Sequence, residues 1–206
     1  MSVRRGSFVV FEGVDACGKS TQARRAARER GALFTFEPGD TALGADLRRW
    51  LLDAGPPMAP ATEALLMLAD RSHHVHTVIE PALARGVAVV SDRFFASTLA
   101  YQGYGRGVDL GDLEAATDLA IGACRPDLTV WLDVPLEVAN DRRRRDARDR
   151  FESADLDFHE RVRAGYAALA TRDPEHWAVV DGAGDEDEVA SIVARRLDAL
   201  AWGSDG

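Results

Sequence analysis

The sequence has 206 residues, of which 25 are basic and 34 are acidic, so its formal net charge is −9. This excess of negative charge argues against a general nucleic-acid binder, because affinity for the phosphate backbone needs surplus cationic surface. Hydrophobic residues make up 46% of the chain, yet no apolar run approaches the roughly 20 residues that span a bilayer. The first five residues lead into a strand-like stretch without the apolar segment of a signal peptide. We therefore expect a single domain over residues 1–206, in the cytoplasm and without a membrane partner.

Short apolar runs rich in β-branched and aromatic residues recur along the chain and predict strands. They cover residues 8–11, 33–36, 87–90, 128–132 and 177–180. Because these runs lack polar alternation, we expect strands that are buried on both faces of a parallel sheet. Between them lie segments with helical signals, at residues 21–30, from Thr62 onward, and at residues 189–200. This alternation predicts an α/β fold with a doubly wound sheet and helices on both faces.

The first predicted strand is followed by the pattern G-x-x-x-x-G-K-S, from Gly13 to Ser20. Glycines let the backbone wrap closely round a phosphate with its N–H groups pointing inward, and the helix that follows adds its positive end. Lys19 would reach the β- and γ-phosphates of a nucleotide, and the hydroxyl of Ser20 would bind Mg²⁺. The predicted nucleotide-binding residues are Gly13, Val14, Asp15, Ala16, Cys17, Gly18, Lys19, Ser20 and Thr21.

Lys19 is the single lysine of the chain, since the other 24 of the 25 basic residues are arginines. A compact ammonium on a flexible stem is thus retained where a phosphate would lie. A glycine-rich turn between strand and helix would explain the glycines but not this lysine. The guanine-reading motif N-K-x-D of Ras-like GTPases is excluded, because it needs a second lysine. A small-molecule kinase, and an ATPase or switch that passes energy to a partner, remain as candidate classes.

The third predicted strand ends in polar residues that suit the acceptor side of a kinase. Asp92 is placed to hold Mg²⁺ through water and Arg93 to face a phosphate, although a surface ion pair is the alternative. Phosphoryl transfer between two anions needs concentrated positive charge, so arginines at strand ends are expected there. Beyond them lies a polar and aromatic set suited to a sugar and a base edge: Ser97, Thr98, Tyr101 and Gln102.

Six motifs resemble those of the thymidylate kinase family, in order and at that family's spacing. They are residues 11–22, 37–39, 92–94, 100–103, 125–128 and 149–152. The resemblance implies a five-stranded parallel sheet of the nucleoside monophosphate kinase type, a homodimer, and conversion of dTMP to dTDP with ATP and Mg²⁺. A kinase for another pyrimidine deoxynucleotide, and a P-loop switch without monophosphate turnover, are the alternatives.

The resemblance also implies roles for individual residues. Asp15 resembles the P-loop carboxylate near the sugar 3′-hydroxyl, and Tyr101 is placed to crowd a ribose 2′-hydroxyl, which would favour deoxyribose. Arg48, Arg71 and Arg93 match arginines that bind the acceptor phosphate or base. The other acceptor-side residues implied in this way are Glu37, Pro38, Met67, Ser97, Thr98 and Gln102.

The chain departs from the family pattern at four positions. Phe36 stands where bacterial members often have an arginine, and Met67 stands where an aromatic ring usually stacks on thymine. A thioether can cover a base face but gives less shape selection than a ring. Asp40 and Ala16 stand where glycines are common. These departures concern base recognition and leave the phosphate chemistry intact.

The densest run of charge, residues 142–150, contains six arginines and two aspartates. A nucleic-acid patch fits poorly with the net charge and the absence of interleaved aromatic residues. Most of these arginines are expected on a solvated face, within a lid at residues 142–154. A lid must bring at least one arginine over the phosphates, and we expect Arg150 first and Arg145 second. The predicted catalytic residues are Lys19, Asp15, Arg93, Arg150 and Arg145.

Overall fold

The computed structural model describes residues 4–52, 57–145, 156–200 and 202. Its strands are β1 (Phe8–Glu12), β2 (Leu33–Phe36), β3 (Val89–Asp92), β4 (Leu128–Asp133) and β5 (Trp177–Asp181). They form one sheet in the order β2-β3-β1-β4-β5, and every neighbouring pair is parallel. The predicted five-stranded parallel sheet is therefore confirmed.

Helices connect the strands. They are α1 (Lys19–Arg30), α2 (Ala42–Leu52), α3 (Pro60–His74), α4 (Glu80–Ala84), α5 (Phe95–Thr98), α6 (Leu110–Ile121), α7 (Leu136–Arg145), α8 (Leu156–Arg172) and α9 (Glu186–Leu197). Wider π-helical turns at Val75–Ile79 and Leu99–Gly105 follow α3 and α5 directly. Within the described ranges, no helix is both long and apolar enough to cross a membrane.

The core lies on both faces of the sheet, as the doubly wound prediction requires. Phe8 and Val10 of β1 pack in one cluster of buried residues, whereas Val9 and Phe11 pack in the other. Successive side chains of a strand point to opposite faces, so β1 contributes to both clusters. A parallel sheet of this kind needs helices on each face to exclude water.

Two details of the strand prediction were wrong. Full burial on both faces fails for β2 and β5, where Leu33 is 37% and Val179 is 49% exposed, because these strands lie at the two edges of the sheet. The third strand also begins at Val89 and not at Val87. The N–H of Val87 bonds to the carbonyl of Ala82 and closes the turn after α4. Val87 therefore belongs to this turn, although it is apolar.

The sheet register brings three chain segments together. Phe11 lies opposite Asp92, and Phe36 lies opposite Asp92 on the other side. The segments that follow β1, β2 and β3 therefore leave the sheet side by side at its carboxyl edge. This edge is where ligands bind in open α/β sheets.

Candidate active site

The loop from Gly13 to Gly18 has the backbone conformation of a phosphate cradle. Gly13 and Gly18 have φ angles of 146° and 92°, in the region that glycine adopts without steric cost. A Cβ on Gly13 would lie 2.8 Å from the carbonyl oxygen of Leu132. Ala16 adopts a φ of 62°, which costs a residue with a Cβ about 1–2 kcal/mol. Ala16 therefore adopts the left-handed conformation that a glycine would take at this position, and the loop keeps its conformation.

Lys19 is the first residue of α1 and is 7% exposed. Its Nζ lies 3.4 Å from the carbonyl oxygen of Val14 and 3.6 Å from Oδ1 of Asp15. The cap residue Gly18 has no side chain to bond to the first turn of α1, and no described acidic residue lies in that turn. Unpaired N–H groups at a helix start attract anions, so this end of α1 suits a phosphate.

Arg93 connects the acceptor side to this loop. Its Nη2 donates a hydrogen bond of 2.5 Å to Oδ1 of Asp15, and its Nη1 donates one of 3.1 Å to the carbonyl of Gly13. The guanidinium carbon lies 5.1 Å from the ring centroid of Tyr101, and Ser97 accepts a further bond of 2.9 Å from Nη1. Four residues predicted separately, Asp15, Arg93, Ser97 and Tyr101, therefore lie together.

The buried carboxylate of Glu12 bonds to Ser97 and Tyr166, which also bond to Arg93, and the sequence analysis did not identify it. Glu12 is fully buried and accepts bonds from the N–H groups of Phe94 and Ser97, from the Ser97 hydroxyl at 2.6 Å, and from the Tyr166 hydroxyl at 2.9 Å. Burial raises the pKa of Glu12, although the Arg93 charge opposes this. The signal available in the sequence was a lone acidic residue at the end of an apolar strand. No sequence signal pointed to Tyr166.

A second group of predicted residues forms a rigid network round Arg71, which is 2% exposed. Its Nε donates a bond of 2.7 Å to Oε2 of Glu37, and its Nη1 donates one of 2.9 Å to the hydroxyl of Thr98. Its Nη2 donates to the carbonyl of Phe94 at 3.0 Å. Glu37 precedes Pro38 through a cis peptide bond. The network thus joins the segments that follow β2 and β3 to α3.

The other residues predicted on the acceptor side lie near this network, and they differ in their hydrogen bonds and burial. Arg48 of α2 donates a bond of 2.7 Å to the carbonyl of Pro38, and its guanidinium carbon lies 5.9 Å from the Phe36 ring centroid. Met67 is half-buried, one helical turn before Arg71. Gln102 is buried and donates a bond of 2.7 Å to Glu63 of α3.

Asp92 offers a carboxylate oxygen that could bind a cation near the start of α1. It ends β3 and is 9% exposed, and its Oδ1 has no hydrogen-bond partner among the described residues. An unpaired buried carboxylate oxygen is costly unless a ligand occupies it. Ser20 is exposed in the first turn of α1. Both side chains offer the oxygen ligands that Mg²⁺ prefers.

The predicted lid is covered only in part. Arg150 lies outside the described residues, and Arg145 is the last residue of α7, with its side chain outside the description. Arg142 donates hydrogen bonds to the carbonyl oxygens of Cys17, Ala183 and Gly184, at 3.4, 3.2 and 3.2 Å. This first arginine of the run is therefore half-buried and held against the loop of residues 13–18 and the segment that follows β5.

Comparisons with known proteins agree with this geometry. The model of the thymidylate kinase family matches residues 11–193. The chain is 48% identical over 202 residues to a thymidylate kinase of Desulforudis audaxviator, covering 95% of this chain and 91% of that protein. It is 50% identical over 193 residues to a thymidylate kinase of Thermomicrobium roseum, covering 90% and 91%. The crystal structure of thymidylate kinase from Ehrlichia chaffeensis superposes with a TM-score of 0.78 at 31% identity, covering 93% of this chain and 98% of that one. With its parallel sheet, phosphate cradle and adjoining arginines, this chain belongs to the thymidylate kinase family.

Proposed function

We propose that the protein transfers the γ-phosphoryl group of ATP to dTMP, giving ADP and dTDP. The observation that carries this proposal is the ion pair between Arg93 and Asp15, which joins an acceptor-side arginine to the P-loop. A switch without a second substrate would not need an arginine cluster beside the cradle. Membership of the thymidylate kinase family supports the same activity.

The donor site is proposed to be the loop from Gly13 to Thr21. Its backbone N–H groups and the start of α1 would bind the phosphates of ATP. Lys19, held between Val14 and Asp15, would contact the β- and γ-phosphates. The exposed hydroxyls of Ser20 and Thr21 would lie on the same side.

A magnesium ion fits the residues present, and Ser20 and Asp92 would hold it. The argument from the structure is the unpaired, buried Oδ1 of Asp92. Within the described part of the chain, no group of three or more His, Cys, Asp or Glu side chains could hold a metal. Phosphate oxygens and water would thus complete the octahedral ligand set that Mg²⁺ requires. When bound, the ion would neutralise negative charge on the phosphates.

The acceptor nucleotide is proposed to lie between the two arginine networks. Arg93 and Arg71 would bind its phosphate or base, with Arg48 at the edge of the site. Tyr101, stacked under Arg93, would exclude a ribose 2′-hydroxyl. The other proposed contacts are Glu37, Pro38, Met67, Ser97, Thr98 and Gln102.

The reaction requires one bond to form and one to break. An oxygen of the dTMP phosphate attacks the γ-phosphorus of ATP, and the bond from that phosphorus to the β,γ-bridging oxygen breaks, leaving ADP. Charge spreads over the oxygens of the transferring group, so fixed positive groups supply most of the catalysis. Lys19 and Arg93 are proposed to hold those oxygens, and Asp15 to orient both cations.

We also propose that residues 142–154 act as a lid within a single domain of residues 1–206. Arg150 is the first candidate to reach the transferring phosphoryl group, and Arg145 is the second. The described support is Arg142, whose bonds to Cys17 and Gly184 bring the start of this segment against the cradle.

A homodimer in the cytoplasm is the proposed form of the protein. Leu65 on α3 is 64% exposed and Leu119 on α6 is 87% exposed. Covering such side chains with a second copy would remove apolar surface from water. Sedimentation of the wild type and of Leu119→Glu tests this proposal: the variant should be monomeric, and a monomeric wild type would contradict it.

A kinase for another pyrimidine deoxynucleotide is the second candidate, because Met67 supplies a flexible thioether in place of an aromatic ring.

The primary test is incubation with ATP, Mg²⁺ and dTMP, with products separated by chromatography. We expect ADP and dTDP in equal amounts, and no dTDP from Lys19→Met. Formation of ADP without dTDP would favour an ATPase or switch.

A further inference from the structure

A chain of polar groups continues from Arg71 through Glu37, and its members Glu37, His74 and Thr35 are buried. His74, one turn after Arg71 on α3, is 1% exposed. Its Nδ1 lies 2.8 Å from Oε1 of Glu37, and its Nε2 lies 2.5 Å from the hydroxyl oxygen of Thr35. That hydroxyl in turn donates a bond of 2.5 Å to Asp40. His74, Thr35 and Asp40 are not among the residues proposed to contact a nucleotide.

The contact with Glu37 fixes one proton of the His74 ring. Glu37 accepts from Arg71 through its other oxygen and, as a carboxylate, has no proton to donate. Nδ1 of His74 must therefore carry a proton and donate it to Oε1 of Glu37.

Glu37 transmits the position of His74 to Arg71. One carboxylate oxygen of Glu37 binds His74 and the other binds Nε of Arg71. Among the described residues, Arg71 has three acceptors, so one N–H on each terminal nitrogen remains for a ligand. The direction of these two donors depends on where Glu37 holds the guanidinium.

We propose that His74 is a positioning residue for the acceptor nucleotide: its Nδ1–H holds Glu37, which thereby aims the two remaining donors of Arg71. This inference rests on the proposed binding of the acceptor by Arg71. It assigns His74 no contact with substrate. Its effect should therefore fall on acceptor binding, with ATP binding unchanged.

The kinetic test compares two amide variants of His74. The side-chain amide of His74→Asn can donate to Glu37 from near the Nδ1 position, whereas that of His74→Gln reaches toward Thr35 and leaves Glu37 without this donor. A charge-assisted hydrogen bond corresponds to roughly a 10-fold to 100-fold effect. We expect His74→Gln to raise KM for dTMP about 10-fold or more and His74→Asn to raise it less than about 3-fold. KM for ATP should stay the same in both.

Thr35→Val is the matched control, because it removes the other bond of the ring and leaves Glu37 in place. We expect a KM for dTMP near that of the wild type. Equal effects of His74→Gln and His74→Asn, or parallel rises in KM for ATP and dTMP, would overturn the positioning role.

Nitrogen NMR of the histidine rings tests this hydrogen bond independently of activity. The protein has five histidines, and loss of one set of signals in His74→Asn assigns His74. We expect a proton on Nδ1 of His74 in the wild type. A ring without a proton on Nδ1 would overturn the proposal, even if neither variant folds. Absence of dTDP formation would instead count against the proposed function.

Discussion

Oδ1 of Asp15 accepts a hydrogen bond of 2.5 Å from Nη2 of Arg93, across 78 positions of the chain, and lies 3.6 Å from Nζ of Lys19. One carboxylate thus contacts both the lysine at the start of α1 and the arginine that follows β3. Arg93 reaches it from a left-handed backbone conformation, with φ of 74°. The strain of that conformation, about 1–3 kcal/mol, is offset by the contacts that its guanidinium makes.

Asp15→Asn should weaken this arrangement without removing the side chain. An amide keeps the shape but loses the charge that orients Arg93 and Lys19, so we expect kcat/KM for the acceptor to fall about 10-fold to 100-fold. Steady-state kinetics with dTMP varied at saturating ATP measures the change. Asp46→Asn, which breaks the exposed pair with Arg49, is the control and should leave kcat/KM unaltered. Equal values for both variants would mean that the pair does not act in catalysis.

Lys19 offers a chemical test because it is the single lysine of the chain. An amine-reactive acyl ester can modify a lysine amine only at this position. We expect modification of Lys19 to abolish activity and saturating ATP to slow both events in parallel. Peptide mass spectrometry measures the fraction of Lys19 that is modified, and an assay of the same samples measures the remaining activity. Full activity in protein acylated at Lys19 would exclude the ammonium from the mechanism.

Local sequence was sufficient to predict where the loop of residues 13–20 and Arg93 lie, because a glycine pattern and a strand end fix these positions. It could not identify Glu12 and Tyr166 as partners, since their hydrogen bond joins positions 154 residues apart. His74 also gave no signal in a helix with several polar residues. Its role depends on Glu37, which only the folded sheet brings beside it.

The errors in the strand prediction have two origins. Apolar character alone does not distinguish a turn residue such as Val87, whose N–H closes a local turn on Ala82, from a residue of a buried strand. Exposure of Val179 follows from the position of β5 at the sheet edge, and strand order is not encoded in an apolar run.

Asp70 predicts a pH dependence of stability. Burial, with a further contribution from the Glu37 charge, raises the pKa of Asp70 from 3.8 to about 6. The folded state therefore binds more protons than the unfolded state between these values, and stability falls as pH rises through this window. Tm measured from about pH 4 to about pH 7 should drop more for the wild type than for Asp70→Asn. Parallel curves for the two proteins would show that Asp70 does not titrate in this window.

The next prediction concerns Arg150 in the arginine run of residues 142–150, and it rests on the sequence alone. If Arg150 contacts the phosphoryl group as charge develops, Arg150→Ala should lower kcat with little change in KM for ATP. Such arginines contribute roughly 10³-fold to 10⁵-fold in phosphoryl transfer, and we expect the low end or below, because Lys19 and neighbouring arginines can substitute in part. Arg143→Ala is the control and should lose far less activity. Equal losses would mean that the run acts as diffuse charge.

The identity of the acceptor is the central claim, and kcat/KM for a panel of nucleoside monophosphates with ATP tests it most directly. We expect dTMP to exceed dUMP, dCMP and dAMP. The margin over dUMP should be modest, because one methyl group in an apolar pocket contributes about 1–3 kcal/mol. A kcat/KM for dCMP or dAMP equal to or above that for dTMP would contradict the account.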